Sequence, residues 1–165
     1  MKPAVQLFEI SRVFDAPRER VWQAWTEAGH LRKWWGPKGF TVTHCKVDLR
    51  PGGLMHYCLR SPDGMEMWGR MVYREIVKPE RLVWINSFSD PKGGVTRHPG
   101  HESWPLEMHS TALFEAQGNR TKVTIRWLPA DGSTEAERGT FDEGRRSMNQ
   151  GWSGTFDQLA AHVSE

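Results

Sequence analysis

Long apolar runs, basic blocks and cysteine pairs are what this chain lacks, and each absence closes a class of function. No apolar run of about 18 residues occurs, so no membrane-spanning helix is expected. Met1 to Glu9 carries charge and no apolar h-region, so no secretory signal is expected either. There is no basic block, no RNP-like motif and no zinc-finger spacing. The 22 basic and 20 acidic residues are interspersed, leaving a net charge of +2, so nucleic acid is not an expected partner. The two cysteines, Cys45 and Cys58, fall in separate predicted strands. Without a secretory signal they read as reduced, buried thiols of a cytoplasmic protein. Repeats, low-complexity tracts and interdomain linkers are also missing, so 1–165 reads as a single domain.

Tryptophan and methionine are abundant instead, at nine and seven residues. Trp offers a large amphipathic surface and Met packs irregular shapes. Together they suit either a plastic apolar cavity or an aromatic core, and composition does not choose between them.

The order of elements follows from periodicity and punctuation. Val5 to Phe14 alternates as a first strand, and Pro17 suits the start of a helix over Arg18 to Glu27. Gly29 is expected to break it before a second short helix, Leu31 to Trp35. From Thr41 the period becomes two. Strands are expected from Thr41, over Leu54–Arg60, Met65–Val77, Arg81–Ser89, Leu106–Glu115 and Thr121–Trp127, with turns at Pro51-Gly52-Gly53, Ser61–Gly64 and Gly118-Asn119. The inward face of the Met65–Val77 strand is ambiguous, because its length invites a bulge. Asp90 to Pro105 has no strand pattern, and a long ordered loop here would make Val95 to Trp104 a lid over a cavity mouth. By alternation the inward positions include Val47, Met55, Tyr57, Met71, Ala112, Phe114, Val123, Ile125 and Trp127.

The last 30 residues read as one long amphipathic helix, Thr134 to Val163. Phe141, Arg145, Met148, Trp152, Phe156, Leu159 and Val163 share one stripe, and Thr134 with Glu137 supplies a capping box. Such a helix is about 45 Å long and is the only element able to cover a curved sheet. Gly144 and Gly151 flank the stripe, where they either leave room beneath the helix or allow close backbone approach. Arg145 has two readings: it overhangs the sheet and snorkels to water, or it aims into a cavity to anchor an acidic group.

Dedicated chemistry is weakly signalled. His98, His101 and His109 could make a zinc site, but a proline-punctuated loop does not preset their geometry, so no metal and no cofactor is expected. His56 and Cys58 share a strand face but no nucleophile elbow or phosphate loop is present. Tyr57, Glu66, His109 and Arg145 would serve acid–base chemistry only if they converge. Trp22, Trp34 and Trp35 either expose a partner patch or pack the short helices on the sheet.

The order of motifs resembles a known family. Phe14-Asp15-Ala16-Pro17 with Val21-Trp22, Trp34-Trp35-Gly36-Pro37, Asp48 to Gly53, Gly69 to Ile76 leading into Pro79 to Leu82, and Gly151-Trp152 with Phe156 to Leu159 are together similar to the SRPBCC, or START-like, proteins. The branch resembled is that of homologues of the activator of the heat-shock chaperone ATPase. The resemblance implies an α+β helix-grip fold, with a curved antiparallel sheet of six or seven strands around a long C-terminal helix and two short helices after the first strand. It also implies a cavity between sheet and helix that takes a small apolar or amphipathic molecule, as lipid-binding relatives do. The lining expected there is Met55, Tyr57, Met71, Met108, Ala112, Arg145, Met148 and Trp152, with Tyr57 and Arg145 as polar orienting groups. Two alternatives stay open: a polyketide-cyclase-like lyase or isomerase using the same cavity, and a co-chaperone that stimulates a chaperone ATPase. A homodimer is compatible with each.

Overall fold

The computed structural model describes residues 7–164. The expected start of the first strand at Val5 and Gln6 lies outside them. β1 runs Phe8–Phe14 and is followed by α1 (Arg18–Thr26) and α2 (Ala28–Trp34). Then come β2 (Thr41–Val47), β3 (Leu54–Arg60), β4 (Glu66–Val77), β5 (Arg81–Ser89) and the two-residue β6 (Val95–Thr96). β7 (Met108–Gln117), β8 (Arg120–Pro129), α3 (Glu135–Glu143) and α4 (Arg145–Val163) complete the order. All pairings are antiparallel, in the order β1-β8-β7-β5-β4-β3-β2, with β6 pairing β5 off this path. This is the α+β helix-grip fold: an eight-stranded open sheet with a long C-terminal helix.

Alternation explains the sheet. Met55, Met71, Ala112, Phe114, Val123 and Ile125 are all buried. The ambiguity in β4 resolves as a bulge, with the register to β5 shifting between Tyr73 and Glu75. Tyr73 therefore faces inward and is buried. The turn before β3 needs its glycines. Gly52 has φ +83, and a Cβ on Gly53 would lie 2.0 Å from the Asp48 carbonyl oxygen.

Three boundaries differ from expectation. Glu27, not Gly29, separates the short helices: its extended conformation (φ −103, ψ 128) ends one and starts the next. The 90–105 segment contains β6, paired with Phe88 and Ser89. The terminal helix is two helices that break at Gly144 (φ −85, ψ 4). The expected capping box of Thr134 and Glu137 does start α3. At the break the Trp104 ring lies against Gly144, where a Cβ would come within 3.0 Å of Trp104 Cζ3.

α4 is held across the sheet by its buried stripe of Met148, Trp152, Phe156, Leu159 and Val163. Phe156 packs edge-on to Phe14 of β1, with centroids 5.4 Å apart. The Gln158 amide donates to the carbonyls of Trp34 (3.1 Å) and Gly36 (2.7 Å), and Thr155 Oγ1 donates to Gly36 (3.1 Å). Trp22, Trp34 and Trp35 are buried, so they pack the short helices and expose no patch. Trp25 is the hub: its ring meets those of Trp34, Trp35, Trp84, Phe114 and Trp152 within 6.2 Å. Pairs of this kind contribute about 0.5–1.5 kcal/mol each beyond their buried area.

Candidate functional site

Between the inner face of the sheet and α4 the packing is incomplete, and a pocket of about 360 Å³ remains. That volume is within the ordinary range for small-molecule sites, roughly 300–1,000 Å³. β3 contributes Tyr57 and Leu59, β4 contributes Met67, Gly69 and Met71, and β5 contributes Trp84, Asn86 and Phe88. Met108 and Trp127 extend the floor on β7 and β8, and α4 forms the roof with Ser147, Met148, Gly151, Trp152 and Thr155. Trp35 and Pro37 lie at the end next to α2, and His98, Trp104 and Pro105 of the β6–β7 segment close the other side.

Of the residues expected in the wall, Tyr57, Met71, Met108, Met148 and Trp152 are there. Met55 and Ala112 are buried in the core outside the pocket wall. Arg145 does not reach the pocket. As the first residue of α4, just past the Gly144 break, it pairs with Asp142 at 2.8 Å and donates to the Leu7 carbonyl at 3.2 Å. Its guanidinium lies 5.2 Å from the Phe141 ring centroid. A straight helical projection puts it in the stripe, and the break removes it.

Two glycines explain the shape of the wall. Gly69 has no room for a side chain, since Tyr57 Cζ and Oη would lie 2.3 and 2.4 Å from its Cβ. The Tyr57 ring therefore lies over Gly69 of β4, where a side chain would otherwise stand. Gly151 is the opposite case, because a Cβ there meets nothing within 4 Å.

The electrostatics of the wall are quiet. Among the described residues that line the pocket, none is Asp, Glu, Lys or Arg. Burial pushes the Tyr57 phenol up to about 12, against the hydrogen bond from Trp35, so it is neutral at physiological pH. Burial, with His101 nearby, lowers His98, which is therefore the neutral form at pH 7. Its Nδ1 accepts from the Gly100 amide at 2.9 Å. The indole N–H groups of Trp127 and Trp152 are buried without a partner.

The closing segment is tied to α3 through one carboxylate. Glu137 Oε2 accepts from Arg97 (2.8 Å) and from the Leu106 amide (2.7 Å), while Oε1 accepts from the Thr134 amide (2.8 Å). Ser103 and Thr140 hydroxyls meet at 2.7 Å. Burial opposes the charge on Glu137, but these donors outweigh it and hold the carboxyl down at about 2.

The other candidate groups stay apart. His109 is exposed on β7, and no cluster of three or more His, Cys, Asp or Glu suited to a metal exists among the described residues. Cys45 and Cys58 are free and buried, and burial pushes the Cys45 thiol up to about 11. Cys58, on the opposite face from Tyr57, donates to Glu66 at 3.5 Å. Periodicity alone misses Asn86, although the signal exists: in the inward row Leu82, Trp84, Asn86, Phe88 it is the lone polar residue.

Comparison with known proteins agrees with this architecture. Residues 15–164 match the family model described as activator of Hsp90 ATPase homolog 1-like protein. No curated protein matches the chain. A solved protein from Arthrobacter aurescens is 28% identical, with a TM-score of 0.78 over 97% of this chain and 87% of that one. One from Nitrosomonas europaea is 23% identical, with a TM-score of 0.76 over 99% and 97%. The AHSA1 protein from Silicibacter pomeroyi is 17% identical, with a TM-score of 0.71 over 96% and 98%. The last two carry the fold alone.

Proposed function

The chain belongs to the activator of Hsp90 ATPase homolog 1-like family, and from that premise we propose that it binds a small apolar or amphipathic molecule between the sheet and α4. The observation that carries this reading is the unfilled pocket itself. A domain of this size normally packs its interior to crystal-like density. Here nine Trp and seven Met are available, yet a helix glycine, Gly151, lines the pocket, and a Cβ there would meet nothing within 4 Å. A helix-interior glycine costs about 1 kcal/mol relative to Ala, which is unrewarded unless the space is used. The chain is read as a single domain around this one site.

The direct test is native mass spectrometry of the protein as purified, followed by a denatured extract. A co-purifying small molecule supports the reading. Ligand at about 100 times its Kd adds about 2.7 kcal/mol of stability, so a cognate molecule raises the melting temperature by several degrees. An empty protein whose melting temperature is unmoved across an apolar ligand panel overturns the reading. The family description supports a second one, a chaperone partner, and stimulation of an Hsp90-type ATPase that pocket substitutions leave unchanged would favour it.

Gly151 separates stability from binding. Gly151→Ala is expected to raise stability by about 0.5–1 kcal/mol. Gly151→Phe is expected to keep the fold and weaken ligand binding by about tenfold or more, because the ring occupies the space a ligand needs. Undiminished binding by Gly151→Phe would move the site elsewhere.

A further inference from the structure

We infer that the pocket selects an uncharged, ring-bearing molecule that carries a hydrogen-bond acceptor such as a carbonyl oxygen, with the Asn86 side-chain amide as its anchor. This rests on the ligand-binding reading and narrows it.

Charge is excluded first. A carboxylate or phosphate head group placed here would be buried against a wall with no Lys or Arg, and an ammonium group against one with no Asp or Glu. Burying an ion without a partner is far costlier than burying a neutral polar group. The charged residues nearby are committed: Glu137 to Arg97, Thr134 and Leu106, and Arg145 to Asp142 and the Leu7 carbonyl.

The polarity of the open hydrogen-bonding groups comes next. Asn86 is flanked in register by Met71 on β4 and Met108 on β7, so its amide stands in an apolar floor. Its Oδ1 accepts from the fully buried Ser110 hydroxyl at 2.5 Å. With Oδ1 taken up by that bond, Nδ2, a pure donor, is the end of the amide left for the pocket that Asn86 lines. Asn86 thus offers a donor to the cavity, and a ligand that satisfies it must present an acceptor. Shape supplies the third constraint. The flat faces of Trp35, Trp84, Trp104, Trp127 and Trp152 favour rings, and the four methionines adapt to their outline.

Three probes of one skeleton test the inference by equilibrium dialysis at pH 7.5: 9-fluorenone, fluorene and fluorene-9-carboxylate. The wild type is expected to bind fluorenone about tenfold more tightly than fluorene, the difference of one well-placed hydrogen bond, and to bind the carboxylate at least about tenfold more weakly than fluorenone. Asn86→Asp keeps an oxygen for Ser110 and removes both amide donors, so it is expected to abolish the preference for fluorenone over fluorene. Equal binding of fluorenone and fluorene by the wild type overturns the inference while leaving the ligand-binding reading intact. So does tighter binding of the carboxylate, or an unchanged preference in Asn86→Asp. The wild-type series stands whether or not the variant folds. Failure of all three probes to bind overturns the pocket reading itself.

Discussion

Trp152→Ala is expected to lower folding stability by about 3–5 kcal/mol, the usual range for removing a large buried aromatic. The ring is 7% exposed and sits where four aromatic neighbours converge. It stacks on Trp25 with centroids 6.1 Å apart and planes at 17°, and it meets Trp127 edge-on at 5.6 Å. Trp35 and Phe156 complete the set at 6.2 and 5.6 Å. Because the indole N–H has no partner, alanine orphans no acceptor, and the whole cost is lost packing plus cavity. The substitution also merges the new void with the existing pocket, and under the proposed ligand-binding function it removes an aromatic wall and lowers affinity. Urea unfolding measures the first effect as a lower midpoint at constant m-value. A loss under about 1 kcal/mol would mean that this ring does not fasten α4 to the sheet.

The second large effect is expected at Glu137. Glu137→Ala removes a helix cap, the acceptor of the Leu106 amide and the partner of Arg97 in one step, and is expected to cost about 2–3 kcal/mol. Glu137→Gln keeps one acceptor oxygen, loses the charge and turns an NH2 donor toward one of the two amides, so a smaller loss of about 1–2 kcal/mol is expected, the ion pair itself being screened because Arg97 is half exposed. The pH dependence has a definite sign. The folded carboxyl titrates at about 2, below its ordinary value of 4.5. Its contribution is therefore complete above pH 4.5 and is lost as pH falls toward 2, where the unfolded chain takes up the proton first. Wild type should lose more stability than Glu137→Gln between those limits. The local signature is faster amide exchange at Leu106 and along 97–106 in either variant, since the carboxylate ties this segment to α3. Parallel pH profiles of wild type and Glu137→Gln would show that the carboxylate does not act as described.

Particular residues show how far the chain could be read without its fold. The alternation of Met55 and Tyr57, the bulge-prone length of β4 and the Thr134–Glu137 cap were legible because each depends on neighbours within one element. So was the Met148, Trp152, Phe156 face of α4. The pocket was half legible. Alternation separates inward from outward but does not say which inward residues meet another side chain and which meet empty space. Met55 and Met71 are register partners on adjacent strands, yet only Met71 lines the pocket. Arg145 was misplaced by a projection that assumed an unbroken helix, and Cys58 is buried although it faces away from Tyr57. Asn86 had a readable signal in its apolar row, but its meaning depends on Ser110, a partner 24 residues away.

Periodicity, capping and turn residues by themselves determined the order of elements, because these are short-range constraints repeated along the chain, and the motif resemblance added the helix-grip fold and the family. Only the tertiary structure decided where the terminal helix breaks, which side chains the pocket keeps and which donor it leaves open. Those outcomes depend on residues far apart in sequence, Trp104 against Gly144 and Tyr57 against Gly69, whose close approach is a property of packing and not of local propensity.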